Sequence, residues 1–167
     1  MQFVSRYLSP LGLITLACDE VGLVGLWFDG QKFFGSTLLP GAIECDSPVL
    51  NDAAHWLDDY FRGFRPSFIP SLSLNGSNFR LAVWNLLQDI PYGQTTTYKA
   101  LAQCMAQNEG KNHMSAQAVG GAVGHNPVSI IVPCHRVLGA TGKLTGYGGG
   151  LENKKALLMH EGIAFHE

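Results

Sequence analysis

Residues Val128-Ser129-Ile130-Ile131-Val132 are apolar at every position but one, and Pro133-Cys134-His135-Arg136 follows at once. A short β-branched run of this kind predicts a buried strand. Proline has no backbone donor and ends regular pairing. The sequence therefore delivers Cys134 to a fixed place where the backbone leaves a sheet. A thiol is a strong nucleophile only as thiolate, and a neighbouring imidazole or cation favours that form. Thiol, imidazole and guanidinium are consecutive here. The same residues also suit an inert cysteine closing a core strand, so two readings of the sulfur stand open at this point.

The 167 residues suit one ordinary domain or two small lobes and are ample for a core. Hydrophobic residues make up 46% and charged ones 14%, the balance of a globular protein. No stretch approaches the roughly 20 apolar residues that span a bilayer, so no membrane is expected. Met1-Gln2-Phe3-Val4-Ser5-Arg6 does not read as a secretion signal. The four cysteines, Cys18, Cys45, Cys104 and Cys134, are scattered with no C-x-x-C pair. Free thiols without a secretion signal point to a reducing, cytoplasmic setting. The net charge of −2 divides unevenly: residues 1–74 hold four Lys/Arg and eight Asp/Glu, residues 75–167 hold seven and five. That asymmetry fits an acidic supporting lobe and a mildly basic working lobe, with modest affinity for phosphates.

Two domains are expected, 1–74 and 75–167. In the first, Leu11 to Ala17 and Leu23 to Phe28 are β-rich and read as an antiparallel hairpin. Ser47 and Pro48 open a helix carrying Val49, Leu50, Ala53, Trp56, Leu57, Tyr60 and Phe61 at helical spacing, and Gly63 stops it. In the second, Ser77 or Asn78 caps a helix with Phe79, Val83, Leu86 and Leu87 on one face. Pro91 ends it. Thr95-Thr96-Thr97 offers caps for a helix from Tyr98 to about Gln107, and Ser115 caps a short helix, Ala116 to Val123. Two short helices so joined suggest a helix-turn-helix, or a plain helical hairpin. Six glycines between Val137 and Gly150 make a loop that can bring backbone amides close to a ligand. A last helix runs from about Glu152 to His160. The fold class is α/β (α+β): a small antiparallel-sheet lobe followed by a mainly helical lobe with a helix-turn-helix.

Val132-Pro133-Cys134-His135-Arg136-Val137 resembles the active-site signature of the O6-alkylguanine-DNA alkyltransferases, the methylated-DNA–protein-cysteine methyltransferases. Phe79 to Gly93, Thr97-Tyr98-Lys99-Ala100-Leu101-Ala102, Ala118-Val119-Gly120-Gly121-Ala122, Asn126-Pro127, Thr145-Gly146-Tyr147-Gly148-Gly149 and Leu157 to Gly162 follow in that family's order. The resemblance covers about residues 77–163; residues 1–74 match more loosely. It implies single-turnover repair, in which an alkylated guanine is flipped from duplex DNA and its alkyl group moves to the protein's own cysteine. Extrusion is needed because the target atom is inaccessible within a stacked duplex. The implied roles are these. Cys134 accepts the alkyl group, His135 takes the thiol proton through a bound water, and Glu161 orients His135. Tyr98 donates to the departing guanine, and Asn126 bridges recognition helix and active-site strand. Tyr147 lines or stacks on the base. The carbonyls of Cys134 and Val137 read its exocyclic amine, and the Gly148 amide approaches O6. Ala118 and Val123 complete the base and DNA contacts. Tyr98 is also readable as a core aromatic, and Asn126-Pro127 as a simple turn.

Two residues depart from the family pattern. Gln117 stands where an arginine on the recognition helix commonly fills the gap left by the flipped base, which implies weaker or more salt-tolerant DNA binding. Position 148 is glycine where some members have serine, so only backbone can donate there. Cys18, Cys45 and His55 lack convincing zinc spacing, so no metal and no cofactor are expected. The partner is alkylated double-stranded DNA, and the protein is expected to be a monomer. A lesion-binding module without chemistry would lack the cysteine, which this chain keeps. A cysteine hydrolase would need an oxyanion hole that the sequence does not reveal. A thioether at Cys134 resists thiol exchange, and the added methyl should strain a close-packed interior.

Overall fold

A computed structural model describes all 167 residues. Contacts divide the chain into two compact units: residues 1–75 with 127–131, and residues 76–126 with 132–167. No helix is long and apolar enough to cross a membrane.

The first unit is built on a four-stranded sheet in the order β3-β2-β1-β4. β1 (Phe3–Ser9) pairs antiparallel with β2 (Gly12–Cys18), and β2 with β3 (Leu23–Phe28). β4 (Ile43–Glu44) adds a short parallel edge beside β1. β3 is buried at every position, as a strand covered on both faces must be. The expected β2–β3 hairpin is present, and β1 is an addition to it. Phe3–Ser9 is only partly buried and is broken by Ser5 and Arg6, so its alternation is faint. Helix α1 (Pro48–Phe61) lays Leu50, Ala53, Trp56, Leu57 and Tyr60 inward, with Pro48 in its first turn. Ser47 precedes it, but its hydroxyl does not cap the helix; it meets the Cys18 thiol at 3.4 Å.

The predicted strand over Val128–Val132 is not a strand. Val128 makes a single bridge to Leu26, held by Leu26 N–H to Pro127 O (2.8 Å) and Ser129 N–H to Leu26 O (3.1 Å). The chain then turns twice within a few residues. Ile131 N–H bonds Ser129 O and Cys134 N–H bonds Val132 O, both at 2.8 Å. Pro133, at φ −82° and ψ 63°, sits in the geometry of an inverse γ-turn. Ile130 lies at φ +69°, a strained position for a β-branched residue. Apolar character here reflects burial in turns, which needs no ladder. Proline's fixed φ aims Cys134 by completing a turn.

The second unit contains α2 (Asn78–Gln88), α3 (Tyr98–Asn108), α4 (Ala116–Gly124) and α5 (Leu151–His160). Ser77, Thr97 and Ser115 each accept a backbone N–H and cap α2, α3 and α4. α3 and α4, joined by residues 109–115, form the helix-turn-helix. The Trp84 indole N–H donates to Ala122 O at 2.8 Å and ties α2 to α4. A short parallel ladder, β5 (Thr96–Thr97) with β6 (Val137–Leu138), sets the start of α3 beside the segment that follows Cys134.

In the first unit, Gly25 has the Trp27 indole laid across it: an added Cβ would stand 1.9 Å from the ring. Gly25→Ala is therefore expected to destabilise by about 1–3 kcal/mol through overpacking. Urea unfolding followed by tryptophan fluorescence checks this, against Gly121→Ala, where an added Cβ meets no atom within 4 Å.

Candidate active site

Cys134, His135 and Arg136 form one turn of 3-10 helix directly after Pro133. The expected strand-end setting thus becomes a tight turn, with all three side chains buried. Glu161, the C-cap residue of α5, reaches into this turn. Its Oε2 meets His135 Nε2 at 2.5 Å. Its Oε1 accepts from Arg136 Nε at 2.8 Å and from the Gly93 N–H at 3.0 Å. Arg136 Nη1 donates in turn to Ile90 O at 2.7 Å.

Burial raises the Glu161 carboxyl, but the His135 hydrogen bond and charge, and then those of Arg136, outweigh it and hold it at about 2. Burial lowers the His135 imidazole, with Glu161 opposing and the charges of Arg136 and Lys154 assisting. The pair at neutral pH is an ionised carboxylate and a neutral imidazole that donates from Nε2. Arg136 supplies the compensating charge. In that tautomer Nδ1 is the basic nitrogen, and Nδ1 has no hydrogen-bond partner in the protein.

The Cys134 sulfur is 6% exposed as part of its residue. Burial raises its thiol above the ordinary value; hydrogen bonds from Asn126, the charge of Lys154, a backbone contact and a hydrogen bond from Tyr147 act the other way. The resting group is thus a thiol, whose proton must leave before the sulfur can attack. Asn126 has a second task. Its Nδ2 donates to Val132 O at 2.8 Å. Asn126 and Val132 flank the segment 127–131 that belongs to the first unit, so this bond closes the neck of that excursion next to the sulfur.

Lys154 was not expected from the sequence. It is fully buried on α5, with Nζ donating to Val137 O (2.7 Å), Thr145 O (3.1 Å) and Gly146 O (3.4 Å). Burial pulls its ammonium down to about 8, and charge on Cys134 raises it. Among Arg136, Lys154 and Glu161 there is one more cation than anion, and an ionised Cys134 is the nearby group that would balance it. Helical spacing carried a signal: Lys154, Leu157, Leu158 and Glu161 share one face of α5.

The remaining expected residues are dispersed around this centre. Tyr98, half-buried at the start of α3, accepts a 3.3 Å hydrogen bond from the Thr145 hydroxyl. Its phenol is raised, first by burial, and Cys134 contributes. Gly120 lies against its ring. The Val137 carbonyl is held by Lys154. Val123 is buried with Val119 and Ala122, whereas Gln117 and Ala118 are exposed in the first turn of α4. Tyr147 and Gly148 are half-buried in the glycine-rich loop, where Gly150 N–H bonds Tyr147 O. No group of three or more His, Cys, Asp or Glu side chains converges as a metal site.

A buried cysteine beside a histidine–glutamate pair, in a unit that carries a helix-turn-helix, defines a class of protein: one with a nucleophilic thiol presented next to a nucleic-acid-binding motif. Two family profiles match in order, the 6-O-methylguanine DNA methyltransferase ribonuclease-like domain over residues 3–74 and the 6-O-methylguanine DNA methyltransferase DNA binding domain over residues 78–163. Methylated-DNA–protein-cysteine methyltransferases of Methanosarcina acetivorans and Mycolicibacterium paratuberculosis are each 44% identical. The matches cover 92% of this chain and 94% and 88% of those proteins, respectively. The crystal structure of Mycobacterium tuberculosis O6-methylguanine methyltransferase is similar at TM-score 0.80 and 41% identity, over 96% of this chain and 93% of that one. The M. tuberculosis OGT in complex with DNA is similar at TM-score 0.80 and 40% identity, over 95% and 92%. The chain belongs to the 6-O-methylguanine DNA methyltransferase family.

Replacing Glu161 with glutamine leaves Arg136 buried and uncompensated. A loss of about 3–5 kcal/mol at neutral pH is expected. In the wild type, a carboxyl depressed in the fold gives stability that is complete above its ordinary value of 4.5 and is lost as pH falls toward about 2. Denaturant unfolding from pH 6 down to pH 2 should show that acid-linked slope reduced in Glu161→Gln.

Proposed function

We propose that this chain repairs O6-alkylguanine in duplex DNA by moving the alkyl group to Cys134, each molecule acting once. The observation that carries the reading is the Cys134 surround: Asn126, Tyr147 and Lys154 stabilise charge on the sulfur, and the next residue, His135, keeps a buried Nδ1 that no protein group occupies. The thiol proton passes to His135 through a bound water. The thiolate then attacks the alkyl carbon, forming the S–C bond as the C–O6 bond breaks, and the electron pair stays with guanine. Tyr98 holds its own proton, because burial keeps the phenol neutral and Thr145 donates to its oxygen. It donates to the departing base, and the proton taken from sulfur restores neutral guanine. His135 returns uncharged. Soft sulfur suits attack at an alkyl carbon, and the stabilised leaving group is the general-acid half of the reaction.

The exposed start of α4, with Gln117 and Ala118, is the surface offered to DNA; Tyr147, Gly148 and Val137 are assigned to the everted base, with Val123 behind it. O4-methylthymine would present the same alkyl–oxygen bond to the sulfur. The protein works as a cytoplasmic monomer without cofactor.

Incubation with duplex DNA containing O6-methylguanine, followed by peptide mass analysis, is expected to place one methyl on the Cys134 peptide and stop at one equivalent. Cys134→Ser should bind and transfer nothing. Demethylation by the serine variant, or continued turnover, would overturn the assignment. A second expectation concerns α4. Gln117→Arg should tighten duplex binding and steepen the slope of log affinity against log salt by about one, with transfer retained. Salt titration by fluorescence anisotropy measures this, and an unchanged slope would remove Gln117 from the DNA surface.

A further inference from the structure

Arg136 takes no part in the steps above, yet its side chain joins separate stretches of the centre. Its Nε donates to Glu161 Oε1, its Nη1 to Ile90 O, and its guanidinium lies 5.7 Å from the centroid of the Tyr92 ring. It therefore fastens three stretches together: the 3-10 turn that bears Cys134 and His135, the turn after α2, and the end of α5. The Gly93 N–H takes the same carboxylate oxygen. With Oε1 filled by these two donors, Oε2 is left to His135. A carboxylate that is fully subscribed on one oxygen can rotate only by breaking charge-assisted bonds inside a dry site, where each is costly.

We propose that Arg136 is a positioning residue for alkyl transfer: by occupying Glu161 Oε1 it fixes the carboxylate on His135 Nε2 and keeps the imidazole uncharged until the thiol yields its proton. The inference rests on His135 acting as the base in the reaction above. A buried carboxylate with no counter-cation would attract a proton onto the imidazole and leave Nδ1 already occupied. The charges that reach His135 are Glu161 and Lys154 from α5 and Arg136 from its own turn, and Cys134 is its neighbour. Arg136 is the one of these cations that contacts the carboxylate itself. Lys154 spends its three hydrogen bonds on carbonyl oxygens of β6 and the glycine-rich loop. A merely structural clamp predicts lower stability alone; a positioning role predicts in addition a change in how the imidazole titrates.

Arg136→Met and Arg136→Lys separate the two. The His135 imidazole is followed by heteronuclear NMR against pH, and the transfer rate to O6-methylguanine duplex is measured over the same range. In Arg136→Met the imidazole midpoint and the acid limb of the rate should both move up by about one pH unit, the scale of one nearby charge. Arg136→Lys keeps the charge and loses the fork, so its limb should stay near that of the wild type while the rate falls. In the Glu161→Gln background, Arg136→Met should move the midpoint less than it does in the wild type, since only the direct charge of Arg136 on His135 is then left to lose. A folded Arg136→Met protein with an unmoved imidazole midpoint overturns the proposal. Should Arg136→Met fail to fold, Arg136→Lys decides: an acid limb displaced as far as one pH unit, despite the retained charge, refutes it. If the midpoint moves in NMR while the rate limb does not, His135 is not the base, and the functional reading fails separately.

Discussion

One buried carboxylate organises this centre. Glu161 is shielded from water, so each of its oxygens must be met by protein donors or the charge would not survive burial. The donors come from distant points in the chain: Gly93 after α2, and His135 and Arg136 in the turn beyond Pro133. Together they fix two segments, the turn at Gly93 and the 3-10 turn, against the end of α5. Cys134 is held in place because its neighbours on the same turn are committed to that carboxylate. Moving any of the three segments would strand a charge.

Electrostatics then decides the chemistry of the sulfur. Burial keeps Cys134 protonated at rest, and a thiol is a far weaker nucleophile than a thiolate. What the site supplies is readiness: a neutral imidazole, an unneutralised ammonium at Lys154, and hydrogen bonds from Asn126 and Tyr147 that gain strength as charge develops. Stabilisation that grows with the forming anion lowers the barrier more than a permanently ionised sulfur would, because a standing thiolate would be stabilised equally in the ground state.

The helices of this fold were legible because their punctuation is local. Pro48, Ser77, Thr97 and Ser115 mark starts within a residue or two of where they occur, and Gly63 and Gly162 follow helix ends at positive φ. Cys134 and His135 were legible through the resemblance carried by residues 132–137, and Glu161 through the separate match at 157–162. Other features depend on contacts that local pattern does not encode. The run at 128–132 is apolar because it is buried, and burial in successive turns reads the same as burial in a strand. β1 is half-buried and interrupted by polar residues. Lys154 has the composition of a surface residue, and only its three carbonyl partners reveal the contrary. Arg136 stood in the signature, but its bond to Ile90 spans 46 residues of chain.

The same arrangement explains why the reaction should run once. Before transfer, the sulfur can become the anion that Lys154 lacks, and it accepts hydrogen bonds from Asn126 and Tyr147. After transfer it is a thioether: it carries no charge, accepts weakly, and occupies more volume in a close-packed interior. Every interaction that favours attack is weakened by its product. Asn126 is the point at which this reaches beyond the sulfur, because the same amide closes the neck between Val132 and the start of the excursion into the other unit. No thiol exchange reverses a carbon–sulfur bond of this kind, so an ionisable sulfur beside Lys154 is restored only by a new polypeptide.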